Sequence, residues 1–211
     1  MKQDGSIALF QYWNDLRGKR PAPKRTEVEP AHIKTLLSDT FILERDMSGK
    51  AIFRLAGTRV CANFGRELKS HSFASLWRDS DQRLVGRLVQ GVFDADNVVE
   101  VTFEGLSRNG RTNPFEMIVL PLDGGVDNPR CLGAVSAVEK PFWLGADPIV
   151  ASAIASFRVI DPDNEPDLAR PRAAIEVPAL SPSDLSADVD GGAAAGPRRI
   201  RHLLVLDGGR D

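Results

Sequence analysis

Cysteine is scarce in this chain: Cys61 and Cys131 are the only two among 211 residues. They stand far apart, with no Cys or His beside either at a metal-ligand spacing, which excludes a disulfide framework and a zinc ribbon and fits a reducing cytoplasm. Aromatic residues make up only 7%, with a single tyrosine. Charge of one sign is missing too, since 27 Lys+Arg face 29 Asp+Glu for a formal charge of -2, so no overall field draws phosphate backbones or anionic lipid. No apolar run reaches the roughly 18 residues that span a bilayer. The first segment is interrupted by Gln11, Asn14, Asp15 and Arg17, unlike a signal peptide. What remains, 42% hydrophobic and 27% charged residues, is the balance of a soluble globular protein and not of a collagen, a coiled coil or a disordered chain. At roughly 150 residues per domain, the length suggests one domain and a tail.

Along the chain, Ser6 stands as a cap before a helix in which Leu9, Trp13 and Leu16 recur at i, i+4 and i+7, ending at Gly18. An extended, basic, proline-broken stretch follows, Lys19 to Arg25, and Glu29-Pro30 opens a short helix. Thr40 to Glu44 and Ala51 to Leu55 read as a hairpin around Met47-Ser48-Gly49-Lys50. Short helical pieces come next, around Val60 and Phe64 and at Phe73 to Trp77. Asp79 with Gln82 resembles a capping box at the head of an amphipathic helix through Phe93. From Val98 to Leu106, Val99, Val101 and Phe103 alternate with Glu100, Thr102 and Glu104, the pattern of a strand with one wet face. Asn109-Gly110 turns the chain into Phe115 to Leu120, and Cys131 to Val138 completes a three-stranded meander. Asp147-Pro148 predicts a last helix, with Val150, Ala153, Ile154 and Phe157 inward. Residues 161 to 197 hold six prolines and eight acidic residues against two arginines, a composition expected of a mobile linker.

This order of elements resembles the PAS fold, an α+β architecture in which a five-stranded antiparallel sheet curves around a small cavity, with short helices on one face. The resemblance covers roughly Leu37 to Glu139. It rests on Asn63-Phe64-Gly65-Arg66-Glu67-Leu68 followed by Phe73-Ala74-Ser75-Leu76-Trp77 and a longer helix. Together with Tyr12 to Gly18, Ala56-Gly57-Thr58-Arg59, Leu120-Pro121-Leu122 and Arg201 to Gly209, the chain is similar to single-PAS regulatory proteins of α-proteobacteria. The expected organisation is a helical extension over 1–36, a PAS-like domain over 37–139, a C-terminal helix over 140–160, a linker over 161–197 and a basic, then apolar segment over 198–211.

The resemblance implies a candidate ligand pocket at Phe53, Arg59, Asn63, Phe64, Trp77, Leu88, Phe103 and Met117. Most of these aromatics are expected in the core. Trp77 is the best pocket residue, because a buried indole needs a hydrogen-bond partner. Arg59 and Asn63 would supply polarity to the same pocket, a surface or capping role being the alternative. No cofactor is assigned and an unidentified small ligand is allowed. Flavin is not expected, because residues 63 to 68 contain no Cys, nor is haem, because Asp79 to Phe93 contains no His. No nucleophile elbow, C-x-x-C, H-E-x-x-H, Walker or G-x-G-x-x-G motif occurs, so no catalysis and no metal site are expected.

Leu9, Trp13 and Leu16 form a candidate interaction stripe for a second copy or another protein, unless they fold back on the sheet. The leading expectation is a cytoplasmic, non-enzymatic sensory module that binds a regulatory partner, works as a homodimer, and has no membrane span and no nucleic acid target. The alternative is an apolar-ligand carrier or small hydrolase on a curved sheet. Nucleic-acid binding through Arg198, Arg199 and Arg201 is a third reading. The tail is also suited to adding a strand to this chain, a twin or a partner.

Overall fold

The computed structural model describes residues 1–124 and 129–163, and the backbone of two short strands at 198–200 and 203–205. Among the residues 1–163 that are described, three α-helices, α1 (Asp4–Arg17), α2 (Thr58–Phe64) and α3 (Asp79–Ala95), accompany one antiparallel sheet. The sheet contains β1 (Thr40–Arg45), β2 (Ala51–Ala56), β3 (Val98–Ser107), β4 (Thr112–Leu122), β5 (Arg130–Ala137) and β6 (Ile149–Ile160), in the order β2-β1-β5-β4-β3-β6. Single 3-10 turns fill the connections, the one at Phe73–Leu76 being central to the site. Two units separate along the chain, Met1–Pro171 and Arg172–Asp211. In the second, β7 (Arg198–Ile200) pairs antiparallel with β8 (Leu203–Val205). The expected linker lies outside the described residues from 164 onward.

Side chains alternate across β4. Phe115, Met117 and Val119 join the core beneath α2, α3 and the 73–76 turn, while Ile118, Leu120 and Leu122 face α1. Both faces are therefore buried, which a continuous apolar strand requires. Gly133 of β5 stands opposite Phe41 of β1, and a Cβ there would lie 2.2 Å from the Phe41 ring, so only glycine admits this aromatic.

Two features differ from the sequence reading. The sheet has six strands where five were expected, because 149–160 is β6 and not the end of a C-terminal helix over 140–160. Residues Ala155 and Val150 are skipped in the β3 pairing, where the register shifts. These bulges break the period-2 pattern and leave a spacing that imitates a helix. Its valine and isoleucine content suits the free edge of β3.

The second difference concerns the N-terminal helix. Leu9 and Trp13 are fully buried on the sheet, with Leu16 partly buried beside them, so the stripe is core and not an exposed docking surface. Ser6 is a buried helix-interior residue instead of the cap. The Glu116 carboxylate of β4 instead holds the residues that lead into the helix, accepting from the Lys2 N–H at 2.7 Å and the Gln3 N–H at 3.1 Å. The Trp13 indole N–H donates to the Pro121 carbonyl at 2.7 Å. Glu100 is likewise buried under this end, paired with Arg158 and the Met1 amine at 2.9 Å each, so the face of β3 expected to be wet is wet only from Thr102 onward.

Candidate functional site

The inner face of the sheet carries a chain of aromatic rings. Phe41 and Phe53 come from the β1–β2 hairpin, Phe73 and Trp77 from the 3-10 turn and its end, and Phe103 and Phe115 from β3 and β4. Centroids are 5.7 Å apart for Phe41 and Phe53, 5.6 Å for Phe53 and Phe73, and 6.0 Å for Phe73 and Trp77. Phe103 follows at 5.0 Å from Trp77 and 5.1 Å from Phe115. Most pairs meet edge to face, the geometry their quadrupoles favour.

Between these rings, Phe115 excepted, and Val60, Phe64, Leu76, Met117, Val135 and Ser152 lies a cavity of about 10 Å³. That is room for about one water molecule and for no metabolite. The structure brings Phe53, Phe64, Trp77, Phe103 and Met117 of the expected pocket to its wall. Leu88 packs against the same core without reaching the cavity, and Asn63 is buried on α2 away from its wall. Arg59 points outward and pairs with Asp39, because its place in the first turn of α2 faces the 37–39 turn. It is not a pocket residue.

Sequence reasoning missed Phe41, Val60, Phe73, Leu76, Val135 and Ser152. Ser152 escaped because β6 was expected to be helical, and Phe41 because its partner Gly133 lies 92 positions away. Two residues of the wall carry polar atoms without a partner among the described residues, the Trp77 indole nitrogen and the Ser152 hydroxyl, although the cavity surface itself is wholly apolar. An unmade hydrogen bond at a buried group costs about 1–3 kcal/mol. The two share one neighbourhood, since Trp77 and Ser152 form a parallel β-bridge.

The roof over this cavity is held from its rim. The Arg78 N–H donates to the Ser152 carbonyl at 3.0 Å, and the Ile154 N–H donates to Asp81 Oδ2 at 2.8 Å, docking the start of α3 onto β6. Burial pushes the Asp81 carboxyl up, but the Ile154 N–H, Arg78 and Ser80 outweigh it and leave it below its ordinary value. Gln82 donates to the Trp77 carbonyl at 3.1 Å and to Asp79 at 3.0 Å.

Neither thiol is set up for chemistry. Burial pushes the Cys131 thiol far up, and the Cys61 thiol is raised by burial and by Glu67 although the Leu68 N–H opposes this. Among the described residues no group of three or more His, Cys, Asp and Glu side chains could hold a metal ion. None of their helices is long and apolar enough to cross a membrane.

Comparison with known proteins bears on this arrangement. No curated protein matches the chain. Among solved structures, the PAS domain of an HTR-like protein from Haloarcula marismortui is similar at 18% identity and a TM-score of 0.39, over 51% of this chain and 90% of that one. The PAS domain family matches residues 1–136, which take in α1 as well as the sheet through β5. The chain belongs to the PAS domain family.

Proposed function

We propose that this chain is a non-catalytic regulatory module that acts through contact with other protein chains, working as a homodimer in the cytoplasm. PAS domains are in general sensory and signalling modules, and the match over residues 1–136 is the observation that carries the reading. The contact surface is the free edge of β6. Among the described strands β6 pairs only with β3, and Ala155 through Val159 are all exposed. Phe157 and Val159 stand opposite Val101 and Val99, on the aromatic face of the sheet but at its uncovered margin, each about half exposed. An exposed edge with apolar side chains is a template for strand addition.

The unpartnered Trp77 N–H and Ser152 hydroxyl favour a refinement: the 73–77 segment is the gate, and a small apolar ligand bearing one acceptor enters when it lifts. Light scattering on the eluting full-length chain tests the central reading. The expected mass is twice 23.0 kDa, with Phe157→Glu reduced to a single chain. A monomeric wild type overturns the homodimer, and a Phe157→Glu dimer overturns the β6 edge as its interface.

A further inference from the structure

On the outside of the roof, the β1–β2 turn, the 72–75 segment and α3 enclose a cleft of about 620 Å³, of the size that takes a small molecule. Its cations are Lys50, Arg83 and Arg87, and no carboxylate lines it. Arg83 and Arg87 lie one turn apart on the same face of α3, exposed and in no ion pair among the described residues. Like charges at this spacing repel and destabilise a helix. Lys50 lies in the field of Asp46, but that carboxylate is occupied by the N–H groups of Ser48 and Lys50 and by the Ser48 hydroxyl. The nearby acids at the ends of α3 are also engaged: Asp79 with Gln82, and Asp94 with Gln90 and Arg45.

Between the two arginines sits Gly86, a second unfavourable choice for a helix interior. Packing does not require it, because a Cβ there would meet nothing within 4 Å. Its effect is to leave bare backbone on the cleft wall, in the row Gln82, Gly86, Gln90 that runs beside the row Arg83, Arg87. Two guanidinium forks and an ammonium around an open wall form a receptor for closely spaced negative charges.

We propose that this cleft binds a small polyanion, a metabolite carrying phosphate or carboxylate groups, held by Arg83, Arg87 and Lys50 with its body over Gly86. The site adjoins the gate directly, since Phe73 lines both the cleft and the internal cavity. The assignment stands on the cleft and not on dimerisation.

Calorimetric titration of the full chain with pyrophosphate, and separately with citrate, tests it and distinguishes the phosphate from the carboxylate source. At low salt at least one probe binds at one site per chain, and affinity falls as salt rises. Arg83→Gln weakens binding about tenfold and Arg83→Gln with Arg87→Gln weakens it further. Gly86→Gln raises the Tm yet weakens binding at least about tenfold, a pairing of signs that structural damage would not produce. Arg66→Gln, in the neighbouring cleft beyond Ser75 and not itself lining the proposed site, leaves affinity unchanged. The proposal is overturned if neither probe binds at low salt, if Gly86→Gln binds as wild type does, or if Arg66→Gln weakens binding as much as Arg83→Gln.

Discussion

Trp13 and Trp77 lie on opposite faces of the same sheet, both buried, and their indoles meet different fates. Trp13 donates to the Pro121 carbonyl on a face where Glu116 also holds the residues that lead into α1. Trp77 ends beside a cavity with its N–H unmade, near a serine in the same condition. The outer face is a closed joint in which the Trp13 indole and the Glu116 carboxylate are engaged, although the buried Ser6 hydroxyl also lacks a partner among the described residues. The inner face is packed with aromatic rings but polar atoms are left over, under a roof made of one short turn and the end of a helix. Elements with few internal hydrogen bonds open at lower free energy than the body they cover. In the proposed reading α1 stays fixed and the adjustable part lies at 73–77.

The comparison can be broken from the inner side. Phe41→Ala removes a fully buried ring that touches Phe53 and Phe73 and fills the space over Gly133, and should cost about 3–5 kcal/mol in urea unfolding. Asp81→Asn cuts the charged tie between α3 and β6 and should cost about 1.5–3 kcal/mol at neutral pH. Because the folded state holds this carboxyl below its ordinary value of 3.8, its contribution is complete above that value and is lost as pH falls through the lower folded one. The wild type and Asp81→Asn should therefore converge in acid-titrated stability.

The two tryptophans give a sharper contrast. Trp13→Phe strands the Pro121 carbonyl and should cost about 1–3 kcal/mol more than Trp77→Phe, which breaks no hydrogen bond among the described residues. Equal costs would mean that the inner indole is partnered after all. The smallest effect is expected at Asp96, which ends α3 at φ 52 and whose carboxyl is raised by burial and by Asp123. Asn tolerates this backbone and carries no charge, so Asp96→Asn should leave thermal stability equal or higher. A raised folded value means that the carboxyl's contribution is present at low pH and lost as pH rises through it, a slope that the Asn variant should lack.

Much of this was legible in the sequence, element by element. The alternation of Val99, Val101 and Phe103 and the Asn109-Gly110 turn mark β3 and β4 correctly, with Gly110 at φ 78. The apolar run Met117 to Leu122 in β4 also carried a signal that something covers its outer face, and α1 is that cover. β6 was hidden because bulges at Val150 and Ala155 replace its period of two with an apparent helical one. The pocket was only partly readable. Aromatic positions in the helical stretch point to it, but whether they leave a void depends on pairs such as Phe41 and Gly133 that no local pattern joins.

The most direct measurement of the central claim, a resting interior filled by the chain's own side chains, is the native mass of the purified protein compared with its denatured mass, in wild type and in Gly86→Gln. The account predicts no organic adduct within Gly86→Gln, in which a side chain occupies the proposed outer site. An excess mass of one small molecule per chain that persists in that variant would contradict it.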